Sequence, residues 1–72
     1  MEDEIDPREE AMWNAHYEAI VKAFGEARAR KANIGWGHSE GSVCSKVYGN
    51  PIGFLTTEYD STTFEILEHR KG

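Results

Sequence analysis

The hydropathic period of this chain changes once, near residue 34, and that change limits the fold more than any other feature. Before it, apolar side chains recur at helical spacing; after it, they alternate. "DPREEAMWNAHYEAIVKAFGEARARKA" opens with Asp6 as an N-cap, Pro7 at the first helical position and Glu9 as a capping-box partner. Trp13, Tyr17, Ile20, Phe24 and Ala27, flanked by Met12 and Ala23, recur at spacings of four and three and form one apolar stripe. Early acids and the late Arg28, Arg30 and Lys31 both complement a helix dipole, and Asn33 and Gly35 offer a stop. The spacing predicts one long helix with a local weakness at Gly25.

Beyond the change, "SVCSKVY" and "PIGFLTTE" flank Gly49-Asn50, a signal for a two-residue hairpin. Such a loop pairs Tyr48 with Pro51, Val47 with Ile52, Ser45 with Phe54, Cys44 with Leu55 and Val43 with Thr56. Alternation then places Val43, Val47, Ile52 and Phe54 on the core face and Cys44, Lys46, Tyr48 and Leu55 on the other. In "STTFEILEHRKG", Thr63, Phe64 and Ile66 favour a strand over a short helix capped at Asp60, and "NIGWGHS" reads as a short strand before the hairpin. The expected fold is α+β: one long N-terminal helix packed on a three- or four-stranded antiparallel sheet. Residues 1–5 form an acidic leader able to remain disordered, and residues 6–72 form a single small domain.

A chain of 72 residues buries little core, and Cys44 has no partner for a disulfide, so oligomerisation or a bound partner is the expected support. Net charge is −5, yet six acids against Arg8 in the first ten residues account for it; the remaining 62 carry seven acids and seven bases. A neutral body lacks the dense basic surface that binds nucleic acid, and acids gathered at one end do not imitate DNA. Apolar runs are too short to span a membrane, and "MEDEIDPREE" is unlike a secretory signal. With a lone thiol, the expected location is the cytoplasm.

"GWGHSEG" misses a phosphate-cradling fingerprint, with Glu40 in the place of the third glycine, and it follows a helix where that fingerprint precedes one. It reads as a turn anchored by Trp36. His16, His38, His69 and Cys44 sit at no metal-ligand spacing, so neither metal nor cofactor is expected. Cys44 with His38 and Glu40 or Asp60 can be written as nucleophile, base and orienter, but so small a domain has little room to exclude water around them. Cys44 is read as a half-buried residue opposite Leu55, and the chain as non-enzymatic. Trp13, Tyr17, Trp36, Tyr48 and Tyr59 are more aromatic surface than a thin core covers. Trp36, Tyr48 and Tyr59 are therefore the expected contacts to a protein partner or within a homo-oligomer. The alternative is an oligomeric sponge or sensor enclosing a nucleotide-like molecule among Trp36, His38, Ser39, Lys46 and Arg70.

"YGNPIGFLTTEYDSTTFEILE" resembles a segment near the C-terminal side of EcoRI-type adenine-specific DNA methyltransferases, in Gly49, Pro51, Ile52, Phe54, Leu55, Tyr59, Phe64, Glu65, Ile66 and Leu67. The likeness covers about a third of the chain and does not reach the helix. It implies no methylation, because Asn50-Pro51 is followed by Ile52 and Gly53 where the family's catalytic motif has proline and an aromatic, and no cofactor domain accompanies it. It does imply a setting among restriction–modification and phage systems. The expected function is a small phage or mobile-element accessory protein that inhibits a bacterial defence enzyme by protein–protein contact.

Overall fold

A computed structural model of the protein describes residues 6–34 and 39–72. Helix α1 spans Pro7–Phe24 and a short helix α2 spans Glu26–Arg30; strands β1 (Ser42–Val47), β2 (Gly53–Tyr59) and β3 (Ile66–Lys71) form one antiparallel sheet in the order β1-β2-β3. The architecture is the expected α+β arrangement, with the helical layer on one face of the sheet. Asn33 and Ser39 each make one bridge to the outer edge of β1, at Lys46 and Ser42; most of the short strand expected over "NIGWGHS" lies outside the described residues.

Asp6 caps α1 as its residue type predicts, accepting the Arg8 N–H at 2.8 Å. Glu9 does not close a capping box; its carboxylate accepts the indole N–H of Trp13 at 3.4 Å. The predicted unbroken helix stops at Gly25, whose φ of 99° only glycine adopts readily. Length explains the break. Eighteen helical residues already extend about 27 Å, whereas strands of this length reach about 20 Å. Continued straight, the helix would carry Arg28 and Ala29 off the end of the sheet; turning at Gly25 buries Ala29 in the core and aims Arg28 at the hairpin.

The buried ridge of α1 is Met12, His16 and Ile20, one helical turn apart, and not the aromatic stripe. Trp13, Tyr17 and Phe24 are half-buried along its margin and Ala27 is exposed. Indole and phenol groups have a polar end to keep near water, so they cover the rim of a thin interface better than its centre. Against the ridge the sheet sets Val43, Ser45 and Val47 of β1 and Gly53, Leu55 and Thr57 of β2, all buried.

The hairpin register differs by one residue from the two-residue-turn expectation. Val47 pairs with Gly53, Ser45 with Leu55, Cys44 with Thr56 and Val43 with Thr57. A one-residue shift exchanges the faces of a strand, so Leu55 enters the core while Phe54 and Ile52, both expected there, lie exposed outside it. Pro51, with no N–H for the ladder, lies in a longer loop with a cis Asn50–Pro51 peptide. The slip also brings Gly53 beneath the Phe24 ring, where a Cβ would lie 2.5 Å from Cε1.

The final segment forms the expected strand. Asp60 serves the turn before it, accepting the N–H groups of Thr62 (2.8 Å) and Thr63 (3.1 Å), with Phe64 at φ 62°. These two bonds hold the Asp60 carboxyl below the usual carboxylate range.

Gly53→Ala is expected to destabilise the fold by about 1–3 kcal/mol through overpacking against Phe24, lowering Tm by about 4 °C or more. Thermal unfolding followed by circular dichroism checks this; an unchanged Tm would mean that the ring does not rest on Gly53.

Candidate functional site

Two constellations carry chemistry: a polar chain inside the molecule and a strip on the outer face of the sheet. The inner chain starts from His16, which the helical ridge carries onto the middle of the sheet with no solvent exposure. Its Nε2 lies 2.6 Å from Ser45 Oγ and its Nδ1 2.6 Å from Thr57 Oγ1. Thr57 Oγ1 is also 2.8 Å from Nδ1 of His69 on β3. Trp13 meets the His16 ring edge-on, with centroids 6.2 Å apart. Burial, with the nearby His69 second, depresses the His16 pKa to about 4, so its imidazole is neutral at pH 7.

Each hydroxyl has one proton to give, which allows two concerted directions. In one, Ser45 donates to His16, His16 to Thr57 and Thr57 to His69; in the other, every donor and acceptor reverses. Among the described residues no buried side-chain nitrogen or oxygen lacks a partner. A Ser–His contact could serve nucleophilic catalysis, but Ser45 and His16 are both fully enclosed, out of reach of any substrate. Their chemistry here is cohesion. Only the His69 end is open, beside a groove of about 400 Å³ between α1 and β3.

The outer face is built by the register. Lys46 of β1 is directly opposite Phe54 of β2, and across β2 the neighbour of Phe54 is Gly72, bonded to it reciprocally at 2.9 Å. Glycine leaves that flank of the ring uncovered. Phe54 is 45 % exposed, Ile52 54 % and Tyr48 40 %; Lys46 Nζ stands 5.4 Å from the centroid of the Tyr48 ring. Arg28 fastens the loop that ends this strip, donating from Nε to Tyr48 O at 3.0 Å and from its other arm to Pro51 O, while stacking 5.2 Å over Phe24. The strip is therefore a fixed apolar surface bordered by a cation.

Of the expected partner contacts, Tyr48 lies in this strip. Tyr59 lies at the opposite end of the hairpin, with its N–H on Gly41 O, and stacks on Phe64 at 5.6 Å. Trp36 and His38 fall outside the described residues. Of the alternative ligand set, Ser39 bonds Ser42 at 3.0 Å, Lys46 attends Tyr48, and Arg70 is held by Glu58 and Glu68 two strands away from Lys46. Cys44 faces Thr56 rather than Leu55 and receives its hydroxyl at 3.3 Å, while Asp60 is engaged in its turn. Among the described residues no three His, Cys, Asp or Glu side chains gather to hold a metal, and no helix is long and apolar enough to cross a membrane.

Sequence reasoning missed His16 as the centre of the interface and Phe54 and Ile52 as its outer counterpart. The i, i+4, i+8 spacing of Met12, His16 and Ile20 was the available signal; Ser45 and Thr57, diagonal across the hairpin, share a face only in the register one residue away from the expected one. No family model matches this chain, and neither curated proteins nor solved structures give a match.

His16 holds its proton less tightly folded than unfolded, so its contribution to stability is complete above pH 6.5 and is lost as pH falls toward 4. The expected loss is about 3 kcal/mol between those limits. Urea unfolding of the wild type and of His16→Gln across this range isolates it: the Gln variant should show the shallower profile. Parallel profiles would exclude a neutral buried imidazole.

Proposed function

We propose that this protein is a non-enzymatic binding module that engages a protein partner through the outer face of its sheet. The observation that carries this is the exposure of Tyr48, Ile52 and Phe54, with Lys46 opposite Phe54 and beside the Tyr48 ring, on a surface that no part of the described chain covers. Aromatic and aliphatic groups with a bordering cation make a favourable interface centre, because their burial releases water while Lys46 supplies orientation. The rigidity conferred by Arg28 supports the reading, since a preset surface loses little entropy on binding. The methyltransferase-like residues lie within this same hairpin, the turn that follows it and the start of β3. They extend the proposal to inhibition of a bacterial defence enzyme.

Recovery of a partner from bacterial cells by tagged wild-type protein, compared with Phe54→Asp, tests the reading. The partner should be lost with Phe54→Asp and retained with Arg30→Ala, a change at an exposed position of α2, while both variants keep the wild-type dichroism spectrum. Equal recovery by Phe54→Asp would remove the sheet face as the binding surface.

A further inference from the structure

The two edges of the sheet are unlike. On β1, Asn33 exchanges bonds with Lys46 (2.9 and 3.3 Å) and Ser39 bridges Ser42. On β3, no described residue pairs with the outer side. Gly72 bonds Phe54 inward, so by antiparallel alternation Arg70 and Glu68 also point their backbone groups inward, while His69 and Lys71 point theirs outward. An edge with free N–H and C=O groups is a template for another strand.

We infer that the outer edge of β3 is a homodimer interface, in which two copies pair their β3 strands antiparallel about a two-fold axis at His69. Charge selects this register. Centred on His69, the pairing sets Glu68 against Arg70 of the second copy, and Arg70 against its Glu68, two pairs related by the axis. Centred on Arg70 it opposes two arginines, and centred on Glu68 two glutamates. Leu67, the extra residue where the β2–β3 register shifts, lies at the end of this edge and is 65 % exposed in the single chain.

The helical layer admits the neighbour. Beside this edge α1 presents small Ala15 and Ala19 with Glu18 and Lys22 of opposite sign, lining the groove next to His69. Small side chains let two antiparallel helices related by the axis approach closely, and each glutamate finds lysines across the axis. This inference uses the strand edge, not the outer face, and stands independently of the proposed partner surface.

Sedimentation equilibrium of the untagged wild-type chain over a wide concentration range, with dichroism as a folding control, tests it. A species of twice 8.1 kDa is expected. Glu68→Arg should weaken the dimer about tenfold, since it turns two attractions into repulsions. Within one chain the change exchanges the Glu68 contact with Arg70 at 3.8 Å for an opposite-charge pair with Glu58, so the fold is expected to hold. The double variant Glu68→Arg/Arg70→Glu should restore association. Lys71→Pro, which deletes an outward N–H and no ladder bond, should abolish it. A wild type that stays monomeric at every concentration overturns the interface, as does a dimer indifferent to both Glu68→Arg and Lys71→Pro. A double variant no tighter than Glu68→Arg overturns the register.

Discussion

The hydrogen bonds of His16 with Ser45 and Thr57 are the constraint on which the other contacts depend. An imidazole enclosed between helix and sheet must have both nitrogens satisfied, because leaving one unpaired costs about 1–3 kcal/mol, a large share of a small domain's margin. Only strands that bring Ser45 and Thr57 to the same face, at the place where α1 crosses, meet that demand. Met12 and Ile20, one turn to either side, then find Val43, Val47 and Leu55 opposite. Apolar surfaces tolerate sliding; a two-sided polar contact does not. The node thus converts non-directional burial into a single docking position.

From that position the outer surface follows. Thr57 inward obliges Leu55 and Gly53 inward, by alternation along β2, and sends Phe54 outward. Gly53 inward makes room for Phe24 at the end of α1, and Phe24 in turn receives Arg28 on its ring, with Lys71 Nζ also 5.4 Å from its centroid. Arg28 can reach Tyr48 O and Pro51 O only because the chain turned at Gly25. The exposed Tyr48, Ile52 and Phe54 are therefore a consequence of interior packing transmitted through one aromatic ring and one guanidinium.

Much of the fold was legible where chemistry is local. The Asp6-Pro7 start of α1, the change of period and the alternation of β1 each depend on residues near in sequence, and each is found. The terminal strand is found too, although its turn uses Asp60 much as a helix cap would. What sequence could not supply was long-range. Whether α1 runs on through Gly25 depends on the length of a sheet formed later in the chain, and whether the hairpin turns at two residues depends on where Phe24 needs a glycine. The aromatic stripe was misplaced because Trp13 and Tyr17 outweigh a histidine in hydropathy, whereas the sheet facing the helix offers two hydroxyls that the two ring nitrogens of a histidine engage together. Of the site, Tyr48 and Lys46 were legible from strand alternation; Phe54 was hidden by the one-residue slip.

Asn33 sits just past the helices, and its two bonds to Lys46 occupy one outward-facing position of β1 from within the same chain. Strand addition is cumulative only when both margins are available, because each newcomer must offer a fresh edge for the next. A molecule sealed on one side ends any row it joins. By engaging Lys46, Asn33 narrows that margin and so works against growth of a sheet-edged protein into a filament.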